Sequence, residues 1–188
     1  ADAACGGNPW SPGFIDSFRY VDQLGRLAQQ HVQVVMHNTL AASDYGMLDE
    51  NDFAPRPRYW AALLWRRLMG TTVLDPALTP SPGLHVYAHC LRDVPGGVAL
   101  VALNLDRTRP QRLQLAQPAA RYTLTGAVSG DALVAPRVAL NGKVLHLTAD
   151  DQLPRLDAVT LPAGTMTLPP ASISFIAVPT AANRACRG

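Results

Sequence analysis

One lysine, Lys143, and one glutamate, Glu50, are all that this chain of 188 residues carries of those two types. Its other cations are arginines and its other anions aspartates, a bias that a GC-rich genome explains without reference to function. With its single glutamate inside a loop cluster, the chain has no evident acid–base pair of its own. No Lys/Arg run occurs and the net charge is +2, so nothing argues for a nucleic-acid partner. No apolar run approaches the roughly 20 residues that span a bilayer, and no signal-peptide pattern is present, so no membrane partner is expected. The G-x-S-x-G, P-loop and dinucleotide fingerprints are all absent. The histidines (His31, His37, His85, His89, His146) show no zinc spacing with cysteines or carboxylates. Asp49-Glu50-Asn51-Asp52 lacks the glycine and the ligand spacing of a calcium loop. Neither a metal nor a cofactor is expected. The three cysteines leave at least one thiol unpaired. A bridge between Cys90 and Cys186 would staple the C-terminus; three reduced thiols in a cytosolic protein are the equal alternative.

What is present is enough apolar residue, 48 %, to bury a core, over a length of one domain or one and a half. The chain opens on ADAACGGNPW, without an initiator methionine and in loop-like sequence, as expected of a processed chain or a fragment. Ser11 before Pro12 signals a helix start. Phe14, Phe18, Val21, Leu24, Leu27 and Ala28 follow at steps of three and four, predicting an amphipathic helix over 14–30. Gly25 inside it costs ~1 kcal/mol relative to alanine and points to close packing.

The stretch 32–60 organises this part of the chain. Val32, Val34, Val35 and Met36 form a short apolar run that predicts a buried parallel strand over 32–38. Polarity changes abruptly at His37 and Asn38, where that strand ends. In parallel β/α architectures ligands bind at the carboxyl ends of strands. This strand end and its loop, with Asp44, Tyr45, Asp49, Glu50 and Asp52, therefore form one wall of a candidate site. A second helix is predicted from Pro57 to Met69, with Trp60, Leu63, Leu64 and Leu68 on one face and Gly70 as its stop. Two amphipathic helices and one fully buried strand cannot cover one another, so the partner strands must lie upstream.

After Thr71 the character changes. A Pro-rich connector (75–83) leads to short strand-like runs at 84–92, 97–105, 111–115, 121–128, 143–148, 158–161 and 172–178. Turn signals separate them, among them Pro95-Gly96-Gly97, Asn141-Gly142 and Pro162-Ala163-Gly164. No helical period recurs, and the pattern reads as an antiparallel β-sandwich. The fold class is thus α/β plus all-β, divided at 74/75.

Among residues with chemical potential, His37 and Asn38 can hydrogen-bond a polar ligand at the strand end, or simply satisfy loop backbone. The Tyr45 hydroxyl can orient a carboxylate or a sugar hydroxyl; otherwise it packs. Cys5-Gly6-Gly7 can offer backbone N–H groups to an anion, or be a plain flexible loop. Asp49–Asp52 reads as a solvated loop or a cap for the next helix. His85 and His89 share one side of a strand and read as surface residues. Tyr87 and Tyr122 are the candidate exposed aromatics of the sandwich.

Three stretches carry a family resemblance: VVMHNTLAASDYGMLDEN followed by PRYWAALLWRRLMGTTVL; LHVYAHC; and ALNGKVLHLTADDQLPRLDAVTLPAGTMTLPPASISFIAV with Cys186. In order and along nearly the whole chain, they are similar to the C-terminal part of heparanase and its relatives in glycoside hydrolase family 79, bacterial members above all. The resemblance implies the last βα elements of a (β/α)8 TIM barrel over 1–74, then a C-terminal β-sandwich over 75–188. It implies endo-hydrolysis of β-glucuronide linkages in heparan sulfate, with retention, by two glutamates on barrel strand ends. The nucleophile would stand a residue or two before Ala1 and the acid/base far upstream, so no catalytic carboxylate is expected here and the chain alone should be inactive.

Cys5, Gly6 and Gly7 match a Tyr-Gly-Gly that holds the uronate carboxylate; Cys5 in place of tyrosine removes one hydroxyl. Tyr45 matches a tyrosine beside the nucleophile, and Asn38 and His37 match polar residues of the substrate cleft. The loop is one residue shorter before Tyr45, at Ser43 and Asp44; Asp44 is retained as a substrate-binding candidate. Cys90 and Cys186 match a disulfide pair, which implies a secreted or periplasmic protein and leaves Cys5 as a free thiol. The expected partners are heparan sulfate or a related uronic-acid glycan, and the N-terminal remainder of the barrel. Two other readings compete: a β-glucuronidase acting on other uronic-acid polysaccharides, and a non-catalytic glycan-binding or structural sandwich module.

Overall fold

The computed structural model describes residues 8–78, 81–127 and 130–187. It is mostly antiparallel sheet with few helices. In chain order the elements are α1 (Phe14–Gln29), α2 (Pro57–Leu68), β1 (Met69–Leu74), β2 (Leu84–Leu91), β3 (Val98–Asn104), β4 (Gln111–Leu115), β5 (Ala119–Gly126), β6 (Val138–Leu140), β7 (Lys143–Val144), β8 (Val159–Leu161), β9 (Gly164–Leu168) and β10 (Ser172–Val178). The chain divides into two compact units, one up to Leu63 together with Leu124–Leu156, the other Leu64–Thr123 together with the residues from Asp157. The divisions fall inside α2, inside β5 and after Leu156, a different partition from the linear one at 74/75.

In the first unit α1 starts at Phe14, two residues after Pro12. Gly13 is its cap, without a side-chain hydrogen bond, and the Phe14 N–H donates to the Ala135 carbonyl at 3.0 Å. Phe14, Phe18, Val21 and Gly25 are buried, whereas Leu24, Leu27 and Ala28 are half-buried. The helix ends with His31 in the left-handed region (φ 63°), the Val32 N–H donating to Leu27 and the His31 N–H to Ala28, both at 3.0 Å. The tip of β5 pairs with β6, and β6 turns into β7 through Asn141-Gly142, both at positive φ, as a two-residue hairpin requires.

The expected buried parallel strand over 32–38 is not formed. Residues 32–37 belong to no strand, and Val34 and Met36 are 72 % and 89 % exposed. A parallel strand is stable only between neighbours with both faces covered. Among the described residues, no strand pairs with this one.

In the second unit the strands run in the order β1-β2-β3-β10-β5, with β8 beside β5, and β4–β9 make a separate antiparallel pair. Leu113 and Leu115 of β4 and Met166 and Leu168 of β9 share one apolar cluster with Ala102 of β3 and Ile176 of β10. A two-stranded pair is marginal in water. Each buried leucine or methionine contributes about 2 kcal/mol, which is what holds β4–β9 in place. The runs at 84–92, 97–105, 111–115, 121–128, 158–161 and 172–178 all correspond to strands; Val128 lies outside the described residues. The run 143–148 shrinks to the two residues of β7, and β1, β6 and β9 are additional. Gly70 is not a helix stop: α2 passes directly into β1, where Gly70 lies against the Cys90 carbonyl.

Cys90 and Cys186 form a disulfide across a sequence separation of 96. It ties the C-terminal turn to β2, and the Gly96 N–H donating to Cys186 O (2.7 Å) and the Asn183 N–H donating to Gly96 O (2.9 Å) complete the junction. His89 is not a surface residue: it is 4 % exposed, and its Nδ1 lies 2.7 Å from Gly70 O. His85 is half-buried. Tyr87 is 6 % exposed, so it presents no face to a glycan, and Tyr122 is half-buried.

Candidate functional site

The candidate site lies in the first unit, where the apolar run 32–36 gives way to the loop before α2. The side chains that order it come from Arg56-Pro57-Arg58, at the mouth of α2. Proline suits a first helical position, where its missing N–H costs nothing. The arginines on either side are less expected, because a helix N-terminus disfavours cations. Both are nonetheless buried, Arg56 at 8 % and Arg58 at 2 % exposure.

Arg58 is offset by Asp16, in the first turn of α1. The Arg58 Nη2 lies 2.9 Å from Asp16 Oδ2 and 3.3 Å from the Ser11 carbonyl. Asp16 is shared: its Oδ1 also accepts from Arg19 Nε at 2.6 Å. Burial lowers the Arg58 pKa, and Asp16 opposes that. A buried charge stripped of its partner typically costs 3–5 kcal/mol, so Arg58 depends on Asp16, while Asp16 is also held by Arg19.

Arg56 reaches the other way, into the loop. Its Nη1 donates to the carbonyls of Ser43 (3.2 Å) and Asp44, and its Nη2 to Asp49 Oδ2 at 3.0 Å. The next carbonyl, that of Tyr45, lies 3.1 Å from His37 Nε2. Three consecutive carbonyls, 43 to 45, are therefore each held by a side chain. The chain then turns at Gly46, whose N–H donates to Ser43 O at 2.8 Å. A Cβ there would stand 2.9 Å from the carbonyl oxygens of Leu40 and Ser43, so no larger residue fits without a shift.

The tautomer of His37 follows from its partner. A carbonyl only accepts, so Nε2 carries the proton and donates to Tyr45. Arg58 Nη1, 3.4 Å from the same nitrogen, then acts on the ring by charge. Burial first, and Arg58 second, lower the His37 pKa, which keeps the imidazole neutral at pH 7. Tyr20 meets the ring edge-on at 5.9 Å, and burial raises the pKa of its phenol.

The structure thus joins His37 to Tyr45, through the main chain of Tyr45. Asn38 is exposed beside them, and the Asn38–Thr39 peptide is cis. Tyr45 and Asp44 are half-buried, and Ser43 Oγ lies 3.3 Å from Asp44 Oδ1. Cys5, Gly6 and Gly7 lie outside the described residues. Asp49 and Asp52 hold turns, accepting from the N–H groups of Asn51 and Ala54 at 2.9 Å. Backbone donation from Asn51, then Arg56, lowers the Asp49 pKa. Among the described residues, no group of three or more histidines, cysteines or carboxylates could hold a metal ion. Asp16, Arg56 and Arg58 were not among the candidates from the sequence. The signal available was a pair of arginines at a helix start, where the dipole makes cations costly unless a carboxylate meets them.

No protein-family model matches the chain. Heparanase-like protein 1 of Arabidopsis thaliana is 32 % identical over 96 % of this chain and 40 % of that protein. Heparanase of Mus musculus is 35 % identical over 96 % of this chain and 36 % of that protein. Inactive heparanase-2 of Mus musculus is 32 % identical over 98 % of this chain and 35 % of that protein. The chain therefore spans 35–40 % of the length of these relatives. Among solved structures, a GH51 arabinofuranosidase from Xanthomonas axonopodis pv. citri aligns with 88 % of this chain and 36 % of its own, at a TM-score of 0.54 and 15 % identity. That likeness is one of fold.

Proposed function

This chain is homologous over almost its whole length to heparanases and heparanase-like proteins, which supports a heparanase-type family, and on that premise we propose that it is the C-terminal portion of a retaining glycoside hydrolase. Its substrates are β-glucuronide linkages in heparan-sulfate-like glycosaminoglycans. Residues 1–74 complete a (β/α)8 barrel whose other strands, with both catalytic glutamates, lie upstream; residues 75–188 form a β-sandwich. One observation carries the reading: an apolar run, exposed at Val34 and Met36, leads directly into the fastened loop that presents Asn38 and Tyr45. Apolar side chains at strand spacing call for neighbouring strands, and a ligand bound at the strand end would meet this loop. Asn38, Asp44 and Tyr45 line the glucuronide subsite, with His37 behind them; Cys5, Gly6 and Gly7, which the resemblance adds to it, lie outside the described residues. The Cys90–Cys186 bridge supports a secreted or periplasmic location.

The test is hydrolysis by the longer protein that includes the upstream region, on heparan sulfate oligosaccharides and on a simple aryl β-glucuronide. Cleavage with retained anomeric configuration, read by proton NMR, is the expected result. The variant Tyr45→Phe should keep the thermal midpoint and lose at least tenfold in kcat, equivalent to ~1.4 kcal/mol of transition-state stabilisation. Cleavage of the aryl glucuronide alone would move the substrate to other uronic-acid glycans. Glycan binding without cleavage of either substrate would favour a non-catalytic module, a reading that the similarity to inactive heparanase-2 keeps open.

A further inference from the structure

We propose that Arg56 and Arg58 are positioning residues for the Tyr45 turn. Arg56 fixes the carbonyls of Ser43 and Asp44, and Arg58, seated on Asp16, backs the His37 ring that holds the carbonyl of Tyr45. The inference rests on the reading of 37–45 as one wall of the glucuronide subsite.

Loops that carry binding groups need a rigid support, because a small displacement of a reacting or orienting group is costly in rate. Here the support is not a strand ladder. The run 32–37 belongs to no strand. Side chains take over that role. A guanidinium suits it: its planar fork supplies several donors in fixed directions, and Arg56 uses them on two successive carbonyls and on Asp49. With carbonyls 43 to 45 held, the rotations left to the Asp44 and Tyr45 side chains are those about their own χ angles. Arg58 acts one step further back. It is 2 % exposed and charge-paired, so it cannot swing out to solvent, and it packs against the ring nitrogen that meets Tyr45 O. Both arginines flank Pro57, whose fixed φ sets their relative direction. One tripeptide thereby links α1, His37 at the end of the apolar run and the loop within a single unit.

The experiment uses the longer protein with its upstream region. Arg56→Met removes the fork; Arg56→Lys keeps the charge and loses the fork. Because Arg58→Met would leave the buried Asp16 to Arg19 alone, the second site is tested as the double variant Asp16→Ala with Arg58→Met, which removes both buried charges together. Three readouts apply. Hydrogen exchange at the Gly46 and Leu48 amides should quicken at least tenfold in Arg56→Met and in the double variant, with no change in β2 and β3. In the double variant the His37 titration, followed by NMR, should move up towards the value of a free imidazole. On a glucuronide substrate kcat should fall at least tenfold for Arg56→Met, with Arg56→Lys in between. The loss should be non-additive with Tyr45→Phe. Unchanged exchange at Gly46 and Leu48 would overturn the proposal, and so would faster exchange with unaltered kcat. If the unmodified longer protein cleaves no glucuronide, the proposed function fails. The exchange and titration readouts then decide by themselves whether the arginines hold the loop.

Discussion

At the scale of single residues, buried imidazoles set the response to acid. His89 is the clearest case. Its Nδ1–H donates to the Gly70 carbonyl, its ring lies edge-on to Trp65 at 5.3 Å, and its buried Nε2 has no hydrogen-bond partner among the described residues. A second proton would place an unsatisfied N–H and a charge in that position, and burial accordingly lowers the His89 pKa. His37 is lowered as well, by burial and by Arg58. The sign follows from linkage. Below pH ~6.5 the unfolded chain binds protons that the folded chain refuses, so stability is complete above that pH and is lost as the pH falls through the lowered folded values. Urea midpoints measured between pH 8 and pH 5 should therefore decline in the acid half of the range. In His89→Gln, which keeps a polar side chain but does not titrate, the decline should shrink. An identical slope in that variant would remove His89 from the account. These roles are invisible in the sequence, because alternation along 84–92 puts His85 and His89 on one side without saying which side is covered.

At the scale of elements, the strands that carry strong alternation and turn residues were legible. β3, β4 and β10 lie where the apolar pattern puts them, and Asn141-Gly142 makes the hairpin it announces. The elements that escaped have no such punctuation. β1 follows α2 without a turn, and β9 begins at a glycine that reads as the end of a turn. Gly70 shows why the helix–strand junction misleads. Its absent side chain is needed for close approach: a Cβ would lie 2.5 Å from the Cys90 carbonyl oxygen. Gly70→Ala therefore forces backbone against backbone, where neither side can yield cheaply. It should cost about 2 kcal/mol, and lower the thermal midpoint by about 4–8 °C on a domain of this size. A midpoint within a degree of the parent would show that β1 shifts freely.

At the scale of the whole molecule, the C-terminus is fixed by covalent chemistry as well as by packing. The Cys90–Cys186 bridge spans 96 residues. In the chain-entropy account, a loop of that length restricts the unfolded ensemble by about 4–5 kcal/mol. Unfolding followed with and without reductant should show a difference of that order, and Cys186→Ser should match the reduced protein. Equal stability in both states would mean that the final turn is held by its hydrogen bonds to Gly96 alone. The sequence left pairing and free thiols as equal alternatives until the family resemblance favoured the pair, since residues this far apart carry no mutual signal in their local sequence.

The sequence by itself determined the two helices, most of the strand runs, the turns between them and a kinship carried by ordered motifs, because propensity, periodicity and turn chemistry are local. The tertiary structure alone decided which polar residues meet. Asp16 and Arg58 are 42 positions apart in the chain, yet share a buried ion pair. Arg56 reaches back to Ser43, Asp44 and Asp49 of the preceding loop. The apolar run 32–36 marks the boundary between the two kinds of information. Its composition specifies a buried strand, and burial depends on neighbours that the run itself cannot supply.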